Sequence, residues 1–395
     1  METDKEHISV VIIGGGPIGL FLAICLNQKG IVCRVLEKRS ETIKHSRSLG
    51  IHPVSLELFS ATDIIDSFLD RGLKIKKGIA IGDEKKLGEI TFEHTPKPFN
   101  YILSCPQYVS EQILEEELYK LNPDVLKRNT EFVIHKESKQ HVTVSYMDNK
   151  QLKKISCDFI IGCDGKNSKV RDIAGITFDG SRYPDTYIMG DFSDTTEFGT
   201  DAVVYLPKQG LVECFPLPNG MRRWVVKTDE FKADPSREEL EGLVRERVGY
   251  DLSNTENVML SGFGVQHYLA SSFAKGRVLL AGDAAHVVSP IGGQGMNLGW
   301  LDGWALAQAL STIYSNPEFI TGSSEDWRNL LKAYSKSQKS IAKKAIRRAE
   351  MNMALGRKYN STSMRDTLVK ALLKPPFNRT AAKMFTMRKL DKGFI

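Results

Sequence analysis

Residues Gly14-Gly15-Gly16-Pro17-Ile18-Gly19 satisfy G-x-G-x-x-G directly after the apolar stretch ISVVII at 8 to 13 and at the start of a helical pattern. Each glycine has its own task. Gly14 allows a tight turn, Gly16 lets the backbone approach a pyrophosphate, and Gly19 lets helix and strand pack closely, with phosphates at the helix N-terminus. Glu37 closes a second strand, Val32 to Leu36, 18 residues past Gly19, where a carboxylate accepts hydrogen bonds from a ribose diol, and Lys38 follows it. The chemistry implied is dinucleotide binding. The motif alone does not choose between flavin and nicotinamide.

Two later segments bear on that choice. Residues 158 to 176, DFIIGCDGKNSKVRDIAGI, carry Asp164-Gly165 after a buried strand, then Ser168 and Arg171, which either fix the loop or touch a coenzyme. Residues 276 to 299, GRVLLAGDAAHVVSPIGGQGMNLG, carry Gly282-Asp283, then Pro290 and a glycine turn through Gly293 and Gly295 into a helix beginning Met296-Asn297. An acid just past a strand can hold a sugar hydroxyl, and Asp283 suits a ribityl chain. The helix start presents free N–H groups and a positive dipole end, which favours the negative edge of a reduced flavin by about 0.3–2 kcal/mol.

In this order the three segments resemble those of the class A flavoprotein monooxygenases, the family of p-hydroxybenzoate hydroxylase, phenol hydroxylase and the tetracycline-inactivating oxygenases. The likeness runs to about residue 345. The stretch Arg47 to Pro53 is similar to the family segment whose arginine lies near the isoalloxazine, and Gln107 with Glu111 to the start of its FAD-contacting helix. The resemblance implies an FAD enzyme that NADPH or NADH visits as a transient co-substrate, the Asp164-Gly165 segment serving both. It implies that dioxygen adds at the flavin C4a and that the resulting hydroperoxide hydroxylates a small aromatic substrate of phenol, quinolone or polyketide type. YLPKQGLVECFPLPNG resembles the family strand facing the flavin ring, so Phe215 and Pro216, with Trp224 nearby, are expected to line the substrate pocket. The resemblance names no catalytic acid or base, and a lone His286 at a helix entry reads as structural. A flavin-dependent reductase of a lipophilic polyprenyl or quinone substrate on the same fold is the alternative, and a binder without turnover is a more distant one. The tryptophan-rich signature of flavin halogenases is absent.

The elements that must position these residues read as a βαβ unit at the N-terminus, with a helix from Pro17 to Lys29. Helical patterns follow at 45 to 72, at 107 to 121 with Ile113, Leu114, Leu118 and Leu121 as its apolar spacing, at 236 to 247, and from about Gly295 to the end. Strand patterns fill 74 to 104, 131 to 135, 141 to 147, 155 to 161 and 182 to 268. The fold class is α/β: a Rossmann-like FAD-binding domain (1–74, 105–180, 272–345) interrupted by a β-sheet substrate domain (75–104, 181–271), with a C-terminal helical basic segment (346–395).

The 395 residues, 41% of them hydrophobic, suffice for two packed domains. Residues 8 to 26 are uncharged, but three consecutive glycines and a proline interrupt them, and acids rather than a basic region precede them, so neither a membrane span nor a signal peptide is expected. Six cysteines without metal-ligand spacing read as reduced and buried, pointing to a cytoplasmic protein with no metal. The net charge of +6 sits in residues 341 to 395, which hold 14 Lys/Arg against 3 acids, leaving 40 against 45 elsewhere. Nothing there suggests nucleic acid. The tail, split by Pro375-Pro376, packs as a terminal helix, caps the substrate entrance, or makes a peripheral membrane contact. Monomer and homodimer both remain open.

Overall fold

The computed structural model describes residues 6–43, 48–83, 85–316, 318 and 326–388. The strand His7–Ile13 is the centre of the first sheet because its side chains are apolar on both faces, as a parallel strand covered by helices requires. It pairs in parallel with Gln151–Gly162 on one side, Val10 opposite Phe159, and with Cys33–Leu36 on the other, Val10 opposite Cys33. The short strands Val278–Leu280 and Leu126–Lys127 extend this sheet, and an antiparallel pair, Thr130–Glu137 and Val142–Asp148, folds off its side.

Pro17 starts the helix Pro17–Gln28, where its missing N–H costs nothing, and Gly16 before it is extended. That helix packs on Gln107–Leu121 and on Gly295–Tyr314, whose Trp300 is fully buried, donates its indole N–H to the carbonyl of Pro17 and meets Phe59 edge-on.

The second sheet has eight strands, including Phe178–Ser193, Val212–Leu217, Met221–Thr228, Asn257–Ala270 and Ala202–Tyr205, with Lys77–Ile81 and Lys86–Thr91 at its edge. One face packs on the helix Arg237–Val248, capped by Ser236 at its start and by left-handed Gly249 at its end. The other face looks toward the first body.

Several sequence expectations shift. The helical pattern at 45 to 72 resolves into Pro53–Ala61 and Ile65–Arg71, separated by Asp63 at φ 55°. Leu121, placed on the apolar stripe of its helix, is exposed because the stripe ends at Leu118. Phe178–Ser193 is one continuous strand through the expected boundary at 180, and Asp326–Gly356 one continuous helix through that at 345, so neither cut falls in a linker. The tail forms Ser363–Leu372 and Phe377–Phe385, with the two prolines between them. The six cysteines are unpaired, five of them buried. Among the described residues no helix is long and apolar enough to cross a membrane, and no His/Cys/Asp/Glu group could hold a metal ion.

Candidate active site

A single cavity of about 990 Å³ runs from the glycine turn to the second sheet, large for a small-molecule site and mostly apolar. At one end the glycine turn is held by backbone contact. Gly14 has φ 106°, and a Cβ there would stand 2.4 Å from the carbonyl oxygen of Cys163; one on Gly19 would stand 2.0 Å from the carbonyl oxygen of Gly14. Gly16, by contrast, faces open space, with nothing within 4 Å of where its Cβ would be. Gly14, Gly16, Pro17 and Ile18 line the cavity, whereas Gly19 supports the turn from behind.

Glu37 and Lys38 follow along the wall. The Glu37 carboxylate accepts from the amides of Gly15 (2.6 Å) and Arg39 (2.8 Å) and from Arg39 Nε (3.0 Å). Burial pushes its pKa up, but the Arg39 guanidinium and the two amides more than offset this, so it stays ionised at neutral pH. Gln107 lines the same wall and donates to Glu111 Oε1 at 2.9 Å.

Asp164 sits where the strand Gln151–Gly162 ends. One carboxylate oxygen accepts from the amide of Val170, and the other is buried with no hydrogen-bond partner among the described residues, which suits it to a sugar hydroxyl. Asp283 projects into the cavity from the turn after Val278–Leu280; its side chain is exposed to the cavity space, and the protein packed around that space raises its pKa. Pro290, Gly293, Gly295 and Met296 continue the lining to the start of the helix Gly295–Tyr314. Asn297 does not line it. Its amide is fully buried, accepting from the His52 amide and Ser55 Oγ and donating to the carbonyls of Gly50 and Gly293, so it ties two cavity loops together. The expected flavin contact Arg47 lies outside the described residues.

Arg171 and Ser168 fix their loop. Ser168 Oγ caps the amide of Arg171, whose guanidinium donates to the carbonyls of Lys166 and Ala284 and lies 3.8 Å from the Phe178 ring centre. His286 is structural in the same sense, buried with Nε2 2.6 Å from Asp302 Oδ2. Asp302 also accepts from the amide of Gly282 at 2.9 Å, so it holds the turn that presents Asp283.

At the far end the second sheet supplies the wall. The pairing sets Phe215 opposite Arg223 and Glu213 opposite Val225, and these four line the cavity with Met189, Val204 and Phe263. Strand alternation sends their neighbours the other way, correcting two expectations. Trp224 is 1% exposed in the core beneath Arg237–Val248 and stacks on Tyr205, and Pro216 is buried without lining the cavity, its carbonyl accepting from Ser104 Oγ. Glu213, missed in the sequence, was signalled there only as an acid inside the apolar run VECFPL.

The C-terminal helices close the remaining side. Val369, Leu373, Phe377, Ala381 and Phe385 line the cavity, and the pair rests on Ile90 of the second sheet and Phe92 just past its edge strand. Residues 363–388 thus pack over this side of the cavity.

Taken together, a glycine turn open at Gly16, an acid at the end of the second strand, a buried carboxylate oxygen lacking a donor and a second acid at a helix entry fit an extended dinucleotide such as FAD.

Residues 7–349 match a family model described as an FAD binding domain. A rifampicin monooxygenase of Streptomyces venezuelae is 33% identical over 309 residues, 75% of this chain and 63% of its own length. An uncharacterized aromatic compound monooxygenase of Bacillus subtilis is 31% identical over 355 residues, 87% of this chain and 68% of its own. The chain thus spans 63% and 68% of the lengths of these two curated relatives. A p-nitrophenol 4-monooxygenase from Pseudomonas putida shares the fold at a TM-score of 0.87, covering 99% of this chain and 100% of that one at 21% identity.

Proposed function

The chain belongs to the class A flavoprotein monooxygenases, with FAD as its cofactor, and from that premise we propose that it uses NAD(P)H and O2 to hydroxylate a small aromatic molecule of phenol, quinolone or polyketide type. The observation that carries the reading is the continuity of one cavity from the glycine turn to an apolar compartment walled by the second sheet and capped by the C-terminal helices. Bound FAD supplies the redox chemistry, accepting a hydride from the nicotinamide and activating dioxygen.

The chain's residues bind and orient. In this reading the open face of Gly16 takes the pyrophosphate, Glu37 the ribose, and Asp164 and Asp283 the polyol, while the first turn of the helix at Gly295 faces the flavin's negative edge. Pro290 and Phe215, which line the cavity between the two ends, would border the flavin ring. Met189, Val225, Phe263, Val369 and Leu373 exclude water from the substrate compartment, which protects a reactive cofactor from wasteful decay. If Asp164 holds a sugar hydroxyl, Asp164→Ala should weaken FAD about 10- to 100-fold, the loss of one hydrogen bond to a charged group. Fluorescence titration of the apoprotein measures this, and unchanged affinity would remove the residue from the site.

The test of the function is flavin absorbance of the purified protein, then NADPH and NADH oxidation with oxygen uptake across phenols, quinolones and polyketide-like aromatics. Stimulated oxidation with a product one oxygen heavier is the expected result. Turnover of a ligand without oxygen would replace the hydroxylase by a reductase.

A further inference from the structure

Glu213 is an acid in a place built for apolar side chains. It sits second in the strand Val212–Leu217, between Val204 and Val225 on the neighbouring strands, with its side chain on the cavity face. Only 8% of it is exposed. Met189, Leu206, Leu211, Val369 and Leu373 surround that part of the cavity. Among the described residues its carboxyl has no hydrogen-bond or ion-pair partner, although unpaired buried charge is costly.

The charged and titratable groups on the elements around it are engaged with one another or neutral. On the sheet, Arg223 is held by Asp191 through contacts of 2.6 and 2.8 Å, and Lys227 lies 3.6 Å from Asp185, which also binds Arg357. Tyr187 feels the charge of Glu213, and burial together with that charge holds its phenol well above the ordinary range. Tyr205 belongs to the opposite face. On the capping helices, Arg365 pairs with Asp366 and donates to the carbonyl of Leu206. A carboxyl kept at such a position without a protein partner has its partner in what the cavity binds.

We propose that Glu213 is the general base of the substrate compartment and that the substrate presents a phenolic hydroxyl to it. The inference rests on the hydroxylase reading for its chemistry and on the sheet geometry for its residue. The substrate O–H bond breaks, an Oε–H bond forms on Glu213, and the electron pair left on the phenolic oxygen delocalises into the ring, enriching the carbons ortho and para to it. Burial alone pushes the Glu213 carboxyl up to about 7, the range in which a base is both available and strong enough to act. An anionic substrate would meet like charge here, so neutral phenols are selected over benzoates.

The experiment uses the FAD-loaded protein, wild type against Glu213→Gln, which keeps the shape, and Glu213→Leu, which matches the apolar surroundings and guards against misfolding. Each is titrated with 4-nitrophenol and its methyl ether 4-nitroanisole on the acid and alkaline sides of neutrality, following flavin absorbance for binding and the probe's own band for ionisation. Wild type should prefer the phenol by about tenfold or more, the worth of one hydrogen bond to a charged group, and should hold it partly as phenolate. Glu213→Leu should lose the preference. Glu213→Gln should lose the phenolate, the rise of turnover with pH through about 7, and about 100-fold or more of phenol-stimulated NADPH oxidation. Equal affinity of wild type for phenol and ether, or a Glu213→Gln protein with the wild-type rate and pH profile, overturns the proposal. Oxygenation of phenols by that variant at the wild-type rate leaves the hydroxylase standing without this base. Phenolate held by wild type and lost in the variant, with no oxygen transferred by either, leaves the base standing and removes the hydroxylase.

Discussion

Gly16→Val is expected to give a folded, colourless protein. Gly16 is extended, at φ −81° and ψ −176°, a conformation that a β-branched residue accepts, and nothing lies within 4 Å of its Cβ position. The new methyl groups therefore enter the cavity where the backbone must approach a pyrophosphate. FAD affinity should fall by at least about 100-fold, near 2.8 kcal/mol, while apoprotein stability stays within about 0.5 kcal/mol of wild type. The measurements are the flavin-to-protein absorbance ratio after reconstitution and urea unfolding of the apoprotein. Gly19→Ala is the control of opposite kind. Its Cβ would meet the Gly14 carbonyl oxygen at 2.0 Å, so the strand and helix must separate and the fold itself should fail. Full flavin in Gly16→Val would detach the phosphates from this turn.

Asp302→Ala should cost about 3–5 kcal/mol of stability, because it leaves the buried imidazole of His286 and the amide of Gly282 without their acceptor. Since that amide belongs to the turn presenting Asp283, FAD should bind more weakly as well. The pair also sets a pH dependence. Burial pushes the His286 pKa down, but the Asp302 carboxylate at 2.6 Å more than offsets it and leaves it above the ordinary value. A raised folded-state pKa means stabilisation that is complete below the unfolded value of about 6.5 and lost as pH rises through the folded value. Urea midpoints should therefore fall on the alkaline side in wild type, with that component absent from Asp302→Ala. An alanine variant with wild-type stability would make the pair incidental.

What the sequence determined by itself is the part of the site that local chemistry encodes. The glycine spacing at 14 to 19, the acid at Glu37, and the Asp164 and Asp283 turns each follow a buried strand within a few residues, and each is readable because a tight turn or helix entry restricts which residue types fit. The helices Gln107–Leu121 and Arg237–Val248 were legible as patterns of the same local kind. The substrate half was not. A strand buried on both faces, such as Met221–Thr228, carries no polar alternation to reveal its phase, so Trp224 stood among the expected pocket residues until strand pairing put Arg223 in the cavity and Trp224 in the core. The same phase placed Glu213 beside Phe215 and turned Pro216 away. Asn297 looked like a ligand because it opens a helix, yet its four partners come from segments as distant as Gly50 and Ser55, which no local pattern foretells. The basic tail left three dispositions open. Only the tertiary structure shows these helices packed on Ile90 and Phe92, because an amphipathic helix specifies that it must cover an apolar surface and leaves the choice of surface to the rest of the fold.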